Sequence, residues 1–226
     1  MRCEIITCLD AVISGSGRTE LVEALCGLAK KAHGNVFLEG NQITANNYQQ
    51  ALEQGIVYVS EDRGKYGLVI DMNIEQNISM PQLKNFARIF DILDVKKERK
   101  MARQYIDDVG IKAPDGKFTV TNLSGGNQQK VAIAKALALN PKVLILDEPT
   151  RGVDVNAKAE IHKIISNLTG QGLTIIMISS ELPELLGMCD RIYVMREGCI
   201  GGCFDRAEAT QEGILKVALG SQKQVG

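Results

Sequence analysis

The sequence predicts an α/β fold: a mainly parallel sheet with flanking helices, an antiparallel excursion and a helical subdomain. Three observations carry that expectation. Short β-branched runs alternate with helical stretches, the pattern of strand–helix–strand units. The strongest runs, VLIL at 143–146 and LTIIMI at 173–178, are continuously apolar, as strands buried on both faces must be. From about 74 to 112 this rhythm gives way to a charged, wholly helical stretch, which reads as an insertion between two parts of the sheet. One domain over 1–226 is expected, with a core at 1–73 and 138–226 and a helical subdomain at about 74–137.

In order, EIITCL (4–9) reads as a strand feeding a glycine-rich turn, and RTELVEALCGLAKK (18–31) as the helix after it. GNVFLEGNQI (34–43) is hairpin-like, NYQQALEQG (47–55) a short helix and IVYVS (56–60) a strand. NIEQNISM (73–80) and LKNFARIFDILDVKKERKMARQYIDDVG (83–110) supply the helical block. KVLILDEP (142–149) and LTIIMISS (173–180) resume the strands, with VNAKAEIHKIISNLTGQG (155–172) between them as a helix stopped by Gly170 and Gly172. ELPELLGMCD (181–190) reads as a helix, RIYVMREG (191–198) as a strand and TQEGILKVAL (210–219) as a closing helix. DVKKERK (94–100) reads as a solvated helix face rather than a partner site.

Composition narrows the function classes. The 226 residues are 45% hydrophobic, enough for a sizeable core. A net charge of −1 and 4% aromatics leave no electrostatic footprint for nucleic acid and no base-stacking platform. The cysteines at 3, 8, 26, 189, 199 and 203 form no C-x-x-C pair, and only His33 and His162 could join them around a metal. They read as reduced thiols of a cytosolic protein, with Cys199 and Cys203 as strand and turn residues. No apolar run approaches the ~20 residues that span a bilayer. The amino terminus lacks a charged-then-apolar leader. The chain is expected to be soluble, or to reach a membrane only through a partner.

Three motifs carry chemistry. SGSGRT (14–19) is nearly a phosphate-binding loop, G-x-x-x-x-G-K-[ST], in which backbone amides cradle phosphates, a lysine reaches the β/γ oxygens and a hydroxyl holds magnesium. Gly15, Gly17 and Thr19 fit it, but Arg18 stands in the lysine's place and Val12 in the first glycine's. By itself the stretch could be a plain structural turn. KVLILDEP then ends an apolar strand in Asp147 and Glu148, at the sheet edge where α/β folds bind ligands. One carboxylate can hold magnesium and the next can polarise a water. A strand-end acid pair could also merely cap the next element. LSGGNQQKVAIAKAL (123–137) places Ser124 and two glycines before an amphipathic helix, whose amino-terminal amides and dipole favour an anion. An ordinary serine cap would not explain its spacing about twenty residues before LILDEP.

LSGGNQQK, LILDEPTRGVDVNAK, ISSELPELLGMCDR and VMREG together resemble an ABC-transporter ATPase of the P-loop NTPase class. More narrowly they resemble the second nucleotide-binding half of the tandem ATPases that drive bacterial monosaccharide importers of the ribose, galactose, xylose and arabinose types. EDR at 61–63 and SSE at 179–181 favour the second half over the first. The resemblance implies ATP and Mg2+ as ligands. It assigns Gly15, Ser16, Gly17, Arg18 and Thr19 to the phosphate loop, with Thr19 and Asp147 serving magnesium and Glu148 as catalytic base. Glu61 takes the place of the glutamine that senses magnesium and couples to the membrane subunit, and Ser180 that of the switch histidine. Ser124, Gly125 and Gly126 match the signature motif, which faces the γ-phosphate held by an opposite domain. Asp154 matches the acid that links the two sites. The implied partners are a second nucleotide-binding domain, a membrane permease subunit and, indirectly, a sugar-binding protein, with no nucleic acid. The implied location is peripheral, on the cytoplasmic face of the bacterial inner membrane.

Arginine, glutamate and serine at 18, 61 and 180 all alter one site, and each lost electrostatic contact typically costs about 10²–10³ in rate. The expectation is therefore a slow or inactive site in this chain beside a signature motif that completes a partner's. Val12, and two extra residues (10–11) before the loop, put this chain's own nucleotide affinity in doubt. Met1 lies almost at the first strand, so the family's outer strands and adenine-stacking aromatic are expected to be missing. Rival readings are a non-hydrolytic regulatory or remnant ABC domain and a non-transport ABC ATPase.

Overall fold

The computed structural model describes residues 5–10, 17–30, 33–86 and 94–220, with the backbone alone at 5–10, 84 and 85. The chain divides into two compact units: Met1–Tyr58, Lys142–Glu148 and Ile165–Gly226 in the first, and Val59–Pro141 with Pro149–Ile164 in the second.

A six-stranded sheet organises the first unit. Its order is β4 (Ile56–Val59), β5 (Val143–Asp147), β6 (Thr174–Ser179), β1 (Ile5–Asp10), β7 (Arg191–Arg196) and β8 (Cys199–Asp205). The β5–β6, β6–β1 and β1–β7 pairs are parallel, and β8 adds an antiparallel edge to β7. Every residue of β5 is buried, which explains its unbroken apolar run. Registers of Asp147 with Ile178 and Leu9 with Ser179 bring the carboxyl ends of β5, β6 and β1 to one edge. That edge is where a ligand site belongs in such a sheet.

Helices α1 (Arg18–Leu25) and α2 (Tyr48–Glu53) pack Val22, Cys26 and Ala51 against Ile56, Val143, Ile145 and Ile178. Burial pushes the Cys26 thiol up to about 12, so it acts as a small apolar filler. The antiparallel excursion is the hairpin β2 (Val36–Leu38) and β3 (Asn41–Ile43). Its Glu39–Gly40 turn has positive φ at both residues, 53° and 80°, as a tight two-residue hairpin needs.

α1 ends six residues before the limit expected at 31. Leu28 N–H donates to Glu23 O at 2.7 Å and Gly27 N–H to Ala24 O at 3.3 Å, the paired bonds of a Schellman stop. Gly27 sits at φ 67°, and a Cβ there would lie 2.7 Å from the Asn47 backbone. Close approach of α2's first residues, not helix propensity, ends α1. Two further helices complete this unit, α8 (Leu182–Met188) and α9 (Gln211–Ala218).

The second unit is helical. α3 (Ile74–Ser79) starts with a capping box between Asn73 and Gln76. α4 (Leu83–Phe86) and α5 (Val95–Val109) lie in the stretch expected to be helical; residues 87–93 lie outside the described residues. Asp94 starts α5 afresh by accepting from Lys97 N–H at 3.2 Å, and Gly110 at φ 65° ends it. α6 (Gly125–Leu137) buries Val131, Ala132, Ile133, Ala134 and Ala136. The Lys130 ammonium, also buried, is satisfied by Gly110 O at 2.8 Å and Glu160 Oε2 at 2.5 Å. Glu160 belongs to α7 (Val155–Gly170), which runs from this unit into the first.

Candidate functional site

In the first unit, Gly17 adopts φ 89° and starts α1, putting Arg18 and Thr19 at its first two positions. Glycine is required there twice over, since a Cβ would also lie 2.9 Å from Gly198 Cα. Gly15, Ser16 and Val12 lie outside the described residues.

Across the strand ends, Arg18 Nη1 stands 3.3 Å from Glu148 Oε1, with side-chain exposures of 16% and 4%. An ion pair this deep is not discounted by solvent as a surface pair would be. Ser180 N–H donates to the same Oε1 at 2.9 Å. Glu148 itself has φ 47°, a sparsely populated conformation held by its N–H donating to Ile178 O at 2.8 Å. Burial pushes its carboxyl above the usual range; hydrogen bonding by Ser180 and the Arg18 charge work against that, and the neighbouring Asp147 charge adds to it.

Asp147 ends β5 with its two oxygens in different situations. Oδ2 accepts from the Tyr58 hydroxyl at 2.8 Å, while Oδ1 is buried with no hydrogen-bond partner among the described residues. Burial raises this carboxyl too, opposed by the Tyr58 bond and then by Arg18. A buried, unmatched carboxylate oxygen is costly to leave so. It suits a hard divalent cation or its water shell. Thr19, the other residue expected to serve magnesium, is half-buried at the start of α1. Arg18, Glu148 and Ser180 are therefore linked directly, with Asp147 adjoining them in sequence.

The remaining expected residues belong to the second unit. Ser124 caps α6, its Oγ accepting from Asn127 N–H at 3.4 Å and from Asn127 Nδ2 at 3.1 Å, and it is exposed. Gly126 has no room for a side chain: a Cβ would fall 2.3 Å from Ala157 Cβ. At Gly125 a Cβ would lie 2.9 Å from Arg63 Nη2 and 3.1 Å from Gly152 O. The two glycines are thus imposed by packing. Glu61 is ion-paired with Arg151. Asp154 Oδ1 accepts from Ala157 N–H at 3.0 Å and so caps α7.

Two side chains beside these sites were not singled out by sequence. Tyr58 reaches Asp147, and Arg63 spans the α6 tip through Gln128 Oε1 at 3.5 Å and Arg151 O at 3.4 Å. EDR gave a hint of Arg63, but nothing in the sequence pairs Tyr58 with a carboxylate 89 positions away.

A mainly parallel sheet whose first strand precedes a helix opening on glycine, with two acids at the carboxyl end of the strand one place removed, is the arrangement of a P-loop domain. The family described as "ABC transporter" matches residues 13–151, and the chain belongs to it. It is 49% identical over 210 residues to a ribose import ATP-binding protein of Clostridium perfringens, covering 93% of this chain and 42% of that one. It is 50% identical over 213 residues to a xylose import ATP-binding protein of Moorella thermoacetica, with coverages of 94% and 42%. The chain thus spans well under half the length of these relatives. Its fold matches a dimeric ATP-binding cassette solved in a post-hydrolysis state with ADP and phosphate (TM-score 0.75, 20% identity, 91% of this chain and 87% of that). Among the described residues, no helix is long and apolar enough to cross a membrane.

Proposed function

We propose that this chain is the second nucleotide-binding half of a monosaccharide importer's ATPase, with a weak, poorly hydrolytic site of its own and a signature tip that completes a partner's. One contrast carries the reading. Glu148 is already engaged by Arg18 and Ser180, whereas Ser124, on an unaltered LSGGNQ, is capped only locally and stands exposed. The import proteins it resembles support sugar uptake as the work being driven. The 42% coverage of each supports a half-length piece of a tandem arrangement.

Within this chain's own pocket, Asp147 Oδ1 and Thr19 would hold Mg2+, which neutralises phosphate charge when bound with ATP. Glu148 would accept the proton of an attacking water only after leaving Arg18, so the arginine both withholds the base and lacks the compact ammonium that fits a curled loop. Ser180 orients the Glu148 carboxylate but offers no imidazole to position water. In the partner's site, the Ser124 hydroxyl and the first amides of α6 would hold the γ-phosphate. A permease subunit, a sugar-binding protein acting through it, and a peripheral position at the cytoplasmic face of the inner membrane complete the assembly.

The test is to measure turnover of the chain alone and mixed with an ATPase half carrying an intact lysine loop. Little hydrolysis alone and stimulation in the mixture support the reading. Robust hydrolysis by the isolated chain, or no stimulation of the partner, contradicts it.

A further inference from the structure

We propose that Tyr58 is a positioning residue for the metal-associated carboxylate: its hydroxyl fixes Asp147 Oδ2 and so presents Oδ1 to the divalent cation. This rests on the reading of Asp147 as the magnesium-associated acid. Three observations support it. The Tyr58 hydroxyl donates to Oδ2 at 2.8 Å, across 89 positions of sequence. The other oxygen, Oδ1, is buried with no hydrogen-bond partner among the described residues, so the two oxygens stand in different environments. Tyr58 is itself clamped: its N–H donates to the Tyr48 hydroxyl and its C=O accepts from that hydroxyl, both at 3.2 Å. β4 is one of the sheet's two edge strands, and Tyr48 from α2 bonds both main-chain groups of Tyr58 there.

The geometry is that of an outer partner orienting a metal ligand. A carboxylate with neither oxygen held swings about its last torsion, and ordering it costs part of the energy of binding the cation. Tying one oxygen removes that cost in advance. Loss of such outer partners commonly weakens metal affinity by about 10–100-fold. A purely structural hydroxyl would instead affect folding, or nucleotide binding with and without metal alike.

The experiment follows fluorescent ADP binding by the full chain, in EDTA and across a Mn2+ titration, for wild type, Tyr58→Phe, Asp147→Ala and the double variant. Tyr58→Phe should shift the Mn2+ midpoint upward by about tenfold or more while leaving ADP affinity in EDTA unchanged. On the Asp147→Ala background the same substitution should have no effect. An unchanged Mn2+ midpoint overturns the proposal, as does equal weakening in EDTA and in Mn2+. Wild-type ADP binding that ignores Mn2+ would instead remove the magnesium reading of Asp147, and the role of Tyr58 with it, before any variant is compared. Should Tyr58→Phe fail to fold, Tyr48→Phe, which loosens the clamp and leaves Tyr58 intact, should raise the midpoint by a smaller factor. No shift there overturns the proposal equally.

Discussion

The strand-end pocket and the signature tip treat charge in opposite ways. At the pocket, Glu148 is closed on itself by a guanidinium and a serine amide, and almost no solvent reaches the pair. At the tip, Ser124 is exposed, its hydroxyl accepts from Asn127 in the first turn of α6, and the glycines beside it are fixed by packing. One region has supplied its own counter-charge; the other holds its serine hydroxyl through Asn127 of the same helix. On the proposed reading, this is how a domain loses turnover in its own site while keeping the surface that serves another's.

Reversing either half of that contrast gives the largest effects. Ser124→Arg should cut the stimulation of a partner half by about 10²–10³-fold in a mixed turnover assay, because it removes preorganised donors and crowds the tip. Full activity of that mixture would erase the distinction between the regions. Arg18→Lys should raise the isolated chain's turnover by about tenfold, releasing Glu148 without restoring the losses at 61 and 180. No rise would mean that the ion pair does not limit the base.

Smaller effects sharpen the comparison. Gly126→Ala drives a methyl into Ala157 and should cost about 1–3 kcal/mol, which for a chain this size lowers Tm by roughly 2–4 °C per kcal/mol. An unchanged melt would show that the tip tolerates repacking. The smallest effect concerns pH. Burial raises the Asp147 carboxyl in the folded chain, so its share of stability is full below the unfolded pKa and is lost as pH rises through the folded one. Asp147→Asn should therefore melt a few degrees above wild type at neutral pH, the gap closing on acidification toward about pH 4. A gap that widens in acid would contradict the sign.

Much of this was legible in the sequence because the physics was local or periodic. VLIL and LTIIMI read as buried strands since parallel strands covered on both faces leave no polar position to break the run. β8 was less visible: CIGGCFD is a glycine-rich edge strand with mostly exposed residues, none of them buried, and no alternation of buried and exposed positions to detect. The end of α1 was missed because LAKK continues helix propensity, while the stop depends on Asn47 approaching Gly27. At the site, Arg18, Glu61 and Ser180 stood out as departures from a motif. Tyr58 and Arg63 did not, because their partners lie 89 positions away, and 65 and 88 positions away, and only folding brings them together.

The most direct measurement is steady-state ATP hydrolysis by the isolated chain, beside the same chain mixed with an ATPase half whose loop lysine is intact. The expected result is background turnover alone and a clear rise in the mixture, abolished by Ser124→Arg. Vigorous hydrolysis by the chain alone, unaffected by Arg18→Lys, would contradict it.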